Sequence, residues 1–307
     1  MIKRWQFKSP SPHAPRLARE ADLSLLEAQL LAHRGITTVS DARSFLSPRL
    51  SHLTDPTLLR DMDTAVERIL KAMASQENIT IYGDYDADGM TATALLLNFF
   101  KDLGVPASFY MPNRFTQGYG LHPEAVEGIA RRGGNVMITV DCGTSDLREI
   151  ALAQSLGLSV VVTDHHQVPE NYAPLCPVVN PHRADSAFPF PHLAGVGIAF
   201  FLAIAVRAAL REKGWFKKRP EMDLRHHLDL VALGTVADMV PLVDQNRIMV
   251  KAGLERMGVS LSPGIQALRQ TADMESLPMT SEDVAFKLAP TLNASGRMAD
   301  EIGRAHV

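Results

Sequence analysis

Cysteine is scarce in this sequence: two thiols, Cys142 and Cys176, stand among 307 residues. Two thiols cannot build a zinc cage by themselves, and they fit a reducing compartment. Each reads as a small packing residue. A large excess of one charge is also missing. The formal net charge of −3 argues against a chain that coats nucleic acid over its whole surface. It leaves room for a basic groove, or for bound cations that add positive charge locally. No apolar run is long enough to span a bilayer. The longest, residues 193–206, ends at Arg207 and reads as a buried core helix. The opening MIKRWQFKSPSPHAPR has no apolar core, so it is not a secretory signal, and the protein reads as cytoplasmic. Internal repeats and low-complexity segments are absent too. The remainder is an ordinary globular balance, 46% hydrophobic and 21% charged, with enough length for one large domain or two ordinary ones.

Residues 1–76 read as a helical segment punctuated by proline. LSLLEAQLLAHRG places apolar residues at helical spacing before a stop at Gly35, and DMDTAVERILKAM repeats the pattern with Asp61 or Asp63 as N-cap. The character changes near Asn78. Apolar runs at 79–82, 107–111, 136–140, 159–163 and 177–179 alternate with helical stretches near 91–104, 122–132 and 146–156. Continuous apolar strands alternating with helices predict an α/β fold, a parallel sheet covered by helices on both faces. The second half reads as mainly helical, with a long helix over about 197–213 and another leading into LVALGTVADMVPL at 230–242.

Polar residues collect where the strands end. The first strand runs into Gly83-Asp84-Tyr85-Asp86-Ala87-Asp88-Gly89, the third into Asp141, the fourth into Asp164-His165-His166, and the last into Asn180. In parallel sheets ligands bind beyond the carboxyl ends of the strands. Two carboxylates about 4 Å apart repel by roughly 4 kcal/mol at an effective dielectric near 20, so such a cluster needs protons or cations. Oxygen-rich ligands with a few imidazoles suit Mn²⁺ or Mg²⁺ better than structural zinc. Two such ions can activate a water and stabilise the oxygens of an in-line phosphoryl displacement. A calcium loop of the EF-hand type would explain Asp84-x-Asp86-x-Asp88-Gly89, but its twelfth position holds Leu95 where a bidentate glutamate belongs. A solvated acidic turn is the other reading; the acids and histidines at neighbouring strand ends weigh against it.

An ordered set of motifs runs along the chain: IYGDYDADGMTATALL (81–96), VDCGTS (140–145), TDHHQVPE (163–170) and LGTVADMVPL (233–242). Between and after them stand PNRFTQGYGL (112–121), VVNPHR (178–183), LAGVGIAF (193–200) and APTLNASGRM (289–298). With these motifs the chain resembles the DHH phosphoesterase superfamily, and within it the RecJ branch of single-strand-specific 5′→3′ DNA exonucleases. The resemblance covers residues from about 33 to 298 and implies a two-metal phosphodiesterase with Mn²⁺ or Mg²⁺. It assigns metal-ligand roles to Asp84, Asp86, Asp88, Asp141, His165 and Asp238, with Asp141 bridging, Asp84 and Asp86 toward one ion, and Asp88, His165 and Asp238 toward the other. It implies that His166 meets the scissile phosphate or assists proton transfer while Asp164 orients the imidazoles. Periodicity alone passes over Asp238. Many superfamily members carry a histidine where this chain has Tyr82, four residues before Asp86. That departure is typical of the RecJ branch and argues against the pyrophosphatase and small-nucleotide branches.

Substrate-contact candidates are Arg297 and Asn293 in the last motif, His182 and Arg183 after Asn180-Pro181, and Arg114 with Tyr119 in the NRFTQGYG stretch. A bidentate arginine grips phosphate and an aromatic ring stacks on a base; surface or structural roles compete at each position. Gly195-x-Gly197 could admit a phosphate at a helix N-terminus or serve close packing. KGWFKKRP (213–220) reads as a solvated loop around Trp215, and His226-His227 as structural. The expected organisation is a helical segment over 1–76, a DHH domain over 77–300, and a tail at 301–307. That tail, EIGRAHV, matches in-frame translation of a common sequencing adapter, so a non-native end on a truncated sequence is expected. The partners implied are single-stranded DNA and, by resemblance, a single-stranded-DNA-binding protein and a helicase, in recombination and repair. The alternatives are a relative acting on short oligonucleotides or cyclic dinucleotides, and a non-catalytic DNA-binding scaffold of the same fold.

Overall fold

The structure, a computed structural model, describes residues 6, 8–114, 117–274 and 278–295. It divides into two compact units, residues 1–52 and residues 53–307. In the first unit lie helices α1 (Ala14–Ala21), α2 (Leu25–Ala32) and α3 (Val39–Leu46). Ser24 opens α2 with a capping box, its side chain accepting from Glu27 N–H while Glu27 reaches back to the Ser24 N–H. Thr38 caps α3 by accepting from Asp41 N–H. Ala14, Leu17, Ala28, Leu31 and Ala42 form this unit's small core.

In the second unit, helix α4 (Met62–Ala74) leads into strand β1 (Ile79–Gly83), followed by α5 (Ala87–Asp102), β2 (Ala107–Tyr110), α6 (Pro123–Arg131), β3 (Val136–Val140), α7 (Leu147–Ser155), β4 (Ser159–Thr163) and β5 (Val178–Val179). The strands form one parallel sheet in the order β2-β1-β3-β4-β5. Every residue of β1 and β3 is buried, as apolar runs covered on both faces require. One face holds Tyr82, Met137, Val160 and Val162 against Val126, Ile129, Ile150 and Ala153 of α6 and α7. Because side chains alternate along a strand, Ile81, Ile138 and Val161 face the other side, where α5 and α8 (Gly195–Glu212) pack. The α/β class with a parallel sheet flanked by helices stands as expected.

The division falls between residues 52 and 53 rather than near residue 76, because α4 packs on α8 and β5. Asp61 precedes α4 but does not cap it through its side chain. Its carboxylate is taken elsewhere, accepting from Val178 N–H at 3.1 Å and from Arg183 Nη1 at 2.7 Å. After α8 come α9 (Leu228–Ala237), α10 (Asp244–Met257), α11 (Pro263–Thr271), α12 (Ser281–Asp283), a π-helical stretch Val284–Leu288 and α13 (Ala289–Ser295). Helix α5 is enclosed, with α8 and α9 against it and twelve of its residues buried. Among the described residues no helix is long and apolar enough to cross a membrane.

Candidate metal centre

Each acidic or imidazole group arrives from a strand end or a helix terminus. Asp84 follows β1 and is buried, and Asp86 is the N-cap of α5, its Oδ1 accepting from Asp88 N–H at 2.9 Å and Gly89 N–H at 3.0 Å. That bond fixes the loop and leaves Oδ2 of Asp86 outside the cap. Asp88 sits in the first turn of α5, fully enclosed. Its carboxylate accepts from Gly195 N–H at 2.6 Å and Val196 N–H at 2.9 Å, the first amides of α8. The helix terminus suggested for a phosphate is therefore already occupied by the chain's own carboxylate, the same anion-binding physics turned inward. Glycine is required at 195 because a Cβ there would stand 2.6 Å from Asp141 Oδ1.

Asp141 follows β3 in the left-handed region, φ 62°, and is buried. His165 follows β4, and its Nε2 lies 3.1 Å from Asp141 Oδ1, 3.7 Å from Asp238 Oδ2 and 3.9 Å from Asp88 Oδ2. Asp238 is the C-cap of α9, brought in because α9 packs along α5. Three groups place one ligand atom of each member within 4.8 Å of the others: Asp84 with Asp86 and Asp141, Asp88 with His165 and Asp238, and Asp141 with His165 and His166.

Asp164 is different. Its Oδ2 accepts from Thr144 N–H at 2.9 Å, and its Oδ1 from His165 N–H at 2.7 Å, His166 N–H at 3.1 Å and His166 Nδ1 at 2.7 Å. Asn180 completes this layer, donating to Thr144 Oγ1 at 3.0 Å and to the His166 carbonyl at 2.9 Å. Burial is the largest single influence on the Asp164 carboxyl and raises it, but His166 and Thr144 together outweigh it and hold the group below its ordinary range.

The other carboxyls go the opposite way. Burial, then the neighbouring Asp86, pushes Asp84 up to about 7, and the same two causes push Asp238 to about 6. Asp88 and Asp141 are raised well above the carboxylate range, by burial first and then by Asp238 and Asp88 respectively. Burial and then the adjacent His166 lower His165 to about 4, so its ring is neutral, the form that binds a metal. Asp84 Oδ1 is buried with no hydrogen-bond partner, and Asp141 Oδ1 and His165 Nε2, though 3.1 Å apart, are buried with no hydrogen bond to each other or to any other described group. Unpartnered buried acceptors are costly, and several carboxylates sharing them call for a cation. Oxygen donors with one or two imidazoles fit Mn²⁺ or Mg²⁺.

Of the substrate candidates, Asn293 reaches the site's edge, its Oδ1 accepting from Ala87 N–H at 2.9 Å. Arg114 is exposed, with its guanidinium 5.2 Å from the centre of the Tyr85 ring. His182 is held through its N–H to Asn180 Oδ1 at 2.9 Å, with its ring edge-on to His192. Arg183 is turned into the fold, donating to Asp61, Asp185 and the Val178 carbonyl. Arg297 lies outside the described residues. Sequence patterning offers the helix start at Gly195 for a phosphate but misses its use by Asp88, and it misses the bonds from Thr144 to Asp164 and between Tyr119 and His166.

Residues 78–235 match the model of the DHH family, N-terminal domain. The chain belongs to the DHH family. The chain is 42% identical to the single-stranded-DNA-specific exonuclease RecJ of Dickeya dadantii over 91% of its length, and 38% identical to that of Bacillus subtilis over 96%. It spans 48% and 36% of those two proteins, half their length or less. Among solved structures, RecJ from Thermus thermophilus in complex with Mn²⁺ superposes over 98% of this chain and 41% of its own, with a TM-score of 0.78 and 29% identity. Exonuclease RecJ bound to manganese matches 83% of this chain and 60% of its own, with a TM-score of 0.70 and 31% identity. Membership in the DHH family thus stands beside a sheet edge built for cations.

Proposed function

We propose that this chain hydrolyses the phosphodiester bonds of single-stranded DNA from the 5′ end with two Mn²⁺ or Mg²⁺ ions. The observation that carries the reading is the convergence of Asp84, Asp86, Asp88, Asp141, His165 and Asp238, with three of their ligand atoms buried and unpartnered. Asp84 and Asp86 would hold one ion, Asp88, His165 and Asp238 the other, with Asp141 shared. When bound, such a pair supplies an activated water and stabilises the phosphoryl oxygens. The chain's own residues do the rest. The first amides of α8 hold Asp88 in register. Asp164 orients the His166 imidazole and holds the His165 N–H, Asn180 holds the His166 carbonyl, and His166 presents a half-exposed ring that takes or gives a proton at the scissile phosphate. Arg114 and His182 flank the strand's backbone, while Asn293 and Arg297 grip a phosphate.

Family likeness supports the substrate, since the relatives that match are single-stranded-DNA-specific exonucleases. The test is a metal-titrated assay on strands labelled at either end, comparing the chain with Asp141→Ala. Early release of label from the 5′ end alone, lost in the variant, is the expected result. Equal activity in Asp141→Ala would overturn the shared-ligand role, and label released first from the 3′ end would overturn the polarity.

A further inference from the structure

His166 Nδ1 faces two oxygens, Asp164 Oδ1 at 2.7 Å and the Tyr119 hydroxyl at 2.9 Å. The same hydroxyl stands 3.4 Å from the Asp141 carbonyl. One proton arrangement satisfies all three contacts with Asp164 as a carboxylate. The Nδ1–H is shared between Asp164 and Tyr119, and the Tyr119 O–H donates to the Asp141 carbonyl. Nε2 is then the ring nitrogen left outside both contacts. The Tyr119 ring also lies against the imidazole, centres 5.1 Å apart.

The segment around Tyr119 is built to hold it there. Gly118 and Gly120 both take left-handed φ, 82° and 91°. A Cβ at position 120 would stand 2.9 Å from Asp146 Oδ1. Leu121 N–H donates to Asp146 Oδ2 at 3.1 Å, and the buried Tyr82 hydroxyl donates to the Gly120 carbonyl at 3.1 Å. Two elements, β1 and the turn before α7, thus anchor the backbone on one side of a residue whose hydroxyl is aimed at the centre.

We propose that Tyr119 is a positioning residue for His166, pinning the imidazole with Nδ1 occupied and Nε2 free, and tying that ring to the backbone of Asp141. Asp164 alone fixes which nitrogen carries the proton. A second acceptor on the other side of the N–H fixes the plane of the ring. The proposal rests on the phosphodiesterase reading for its kinetic arm only.

Tyr119→Phe keeps the ring and removes the hydroxyl, and Tyr119→Leu removes both. The expected result is that Tyr119→Phe lowers kcat on a short single-stranded oligonucleotide about tenfold or more, as loss of an outer partner of a site residue does, with KM unchanged. In metal-free protein carrying ¹³C,¹⁵N-histidine, the His166 ring resonances should broaden or split in Tyr119→Phe, and those of His165 should not. Wild-type kcat together with an unchanged His166 spectrum would overturn the proposal. So would a wild-type Tyr119→Phe alongside a raised KM in Tyr119→Leu, which makes Tyr119 a base-stacking residue. If the parent chain cleaves nothing, the functional reading fails, and the spectrum of the metal-free protein decides the positioning role separately.

Discussion

Arg183 shows what a residue's sequence neighbourhood hides. In VVNPHR it stands beside a strand end that points to ligand chemistry, and an arginine there reads as a phosphate grip. Its partner Asp61 lies 122 residues away in the chain, and no local pattern announces that bond. The guanidinium side chain is 6% exposed and spans Asp61 and Asp185. Arg183→Ala takes from the Asp61 carboxylate its shortest partner and leaves it Arg60 Nε at 3.4 Å and the Val178 N–H, a loss of about 2 kcal/mol by the range for hydrogen bonds to charged groups. Denaturant unfolding should show that loss, with the rate of hydrolysis per folded molecule unchanged. A variant of wild-type stability with a raised KM would return Arg183 to the substrate. The acids at 84, 86, 88 and 141 are legible in the sequence because they lie directly after a strand or in the strand-to-helix turn that follows it. Asp238 is legible only through its motif, since a lone acid at a helix end carries no periodic signal.

At the scale of elements, the strands are legible to within a residue or two, because a buried parallel strand must be a short continuous apolar run. The helices α1 and α3 of the first unit escape that kind of reading, because each has fewer large apolar residues than α2, which is of the same length and holds four leucines. Helix α9 carries two features whose consequences can be measured. Beyond its C-cap, Met239 takes a left-handed φ of 61° and is 89% exposed. Glycine is the usual residue there, and an L side chain in that region costs about 1 kcal/mol. Met239→Gly should therefore stabilise the chain by about that amount in chemical denaturation; a destabilised variant would mean that the methionine makes a contact this geometry lacks. At the other end, His227 is buried before the first turn, its Nε2 3.4 Å from Asp102 Oδ2, with Asp229 and His226 also near. Burial lowers its affinity for a proton, against the pull of Asp102. An unfolded histidine titrates near 6.5, so the unfolded chain binds the extra proton first as the pH falls. The stability owed to the neutral ring is full above about 6.5 and is lost below it, down to the folded value. Unfolding free energy measured from pH 7.5 to 5 should fall, and fall less steeply in His227→Gln. Equal slopes would remove His227 as the cause.

At the scale of the molecule, the sheet and the helices α5 and α9 carry carboxylates into a buried place that their own packing does not neutralise. The offsetting groups are backbone amides at Tyr85, Gly195 and Val196 and the His166 ring, which are too few for Asp84, Asp88, Asp141 and Asp238 together. The native state without cations is therefore held below its full stability, and a cation that binds it and not the unfolded chain must raise the unfolding midpoint. At a hundred times the dissociation constant the gain is about 2.7 kcal/mol for one site. Mn²⁺ or Mg²⁺ should thus shift thermal unfolding upward in a concentration-dependent way, and a chelator should reverse the shift. Asp141→Ala should remove most of it, because Asp141 belongs to two of the three ligand groups. The same variant without metal should unfold no lower than the parent chain, since it loses a buried carboxylate with an unpartnered oxygen. A parent chain whose midpoint ignores both cations would mean that protons alone balance the cluster, and the metal centre would have to be abandoned whatever the family shares.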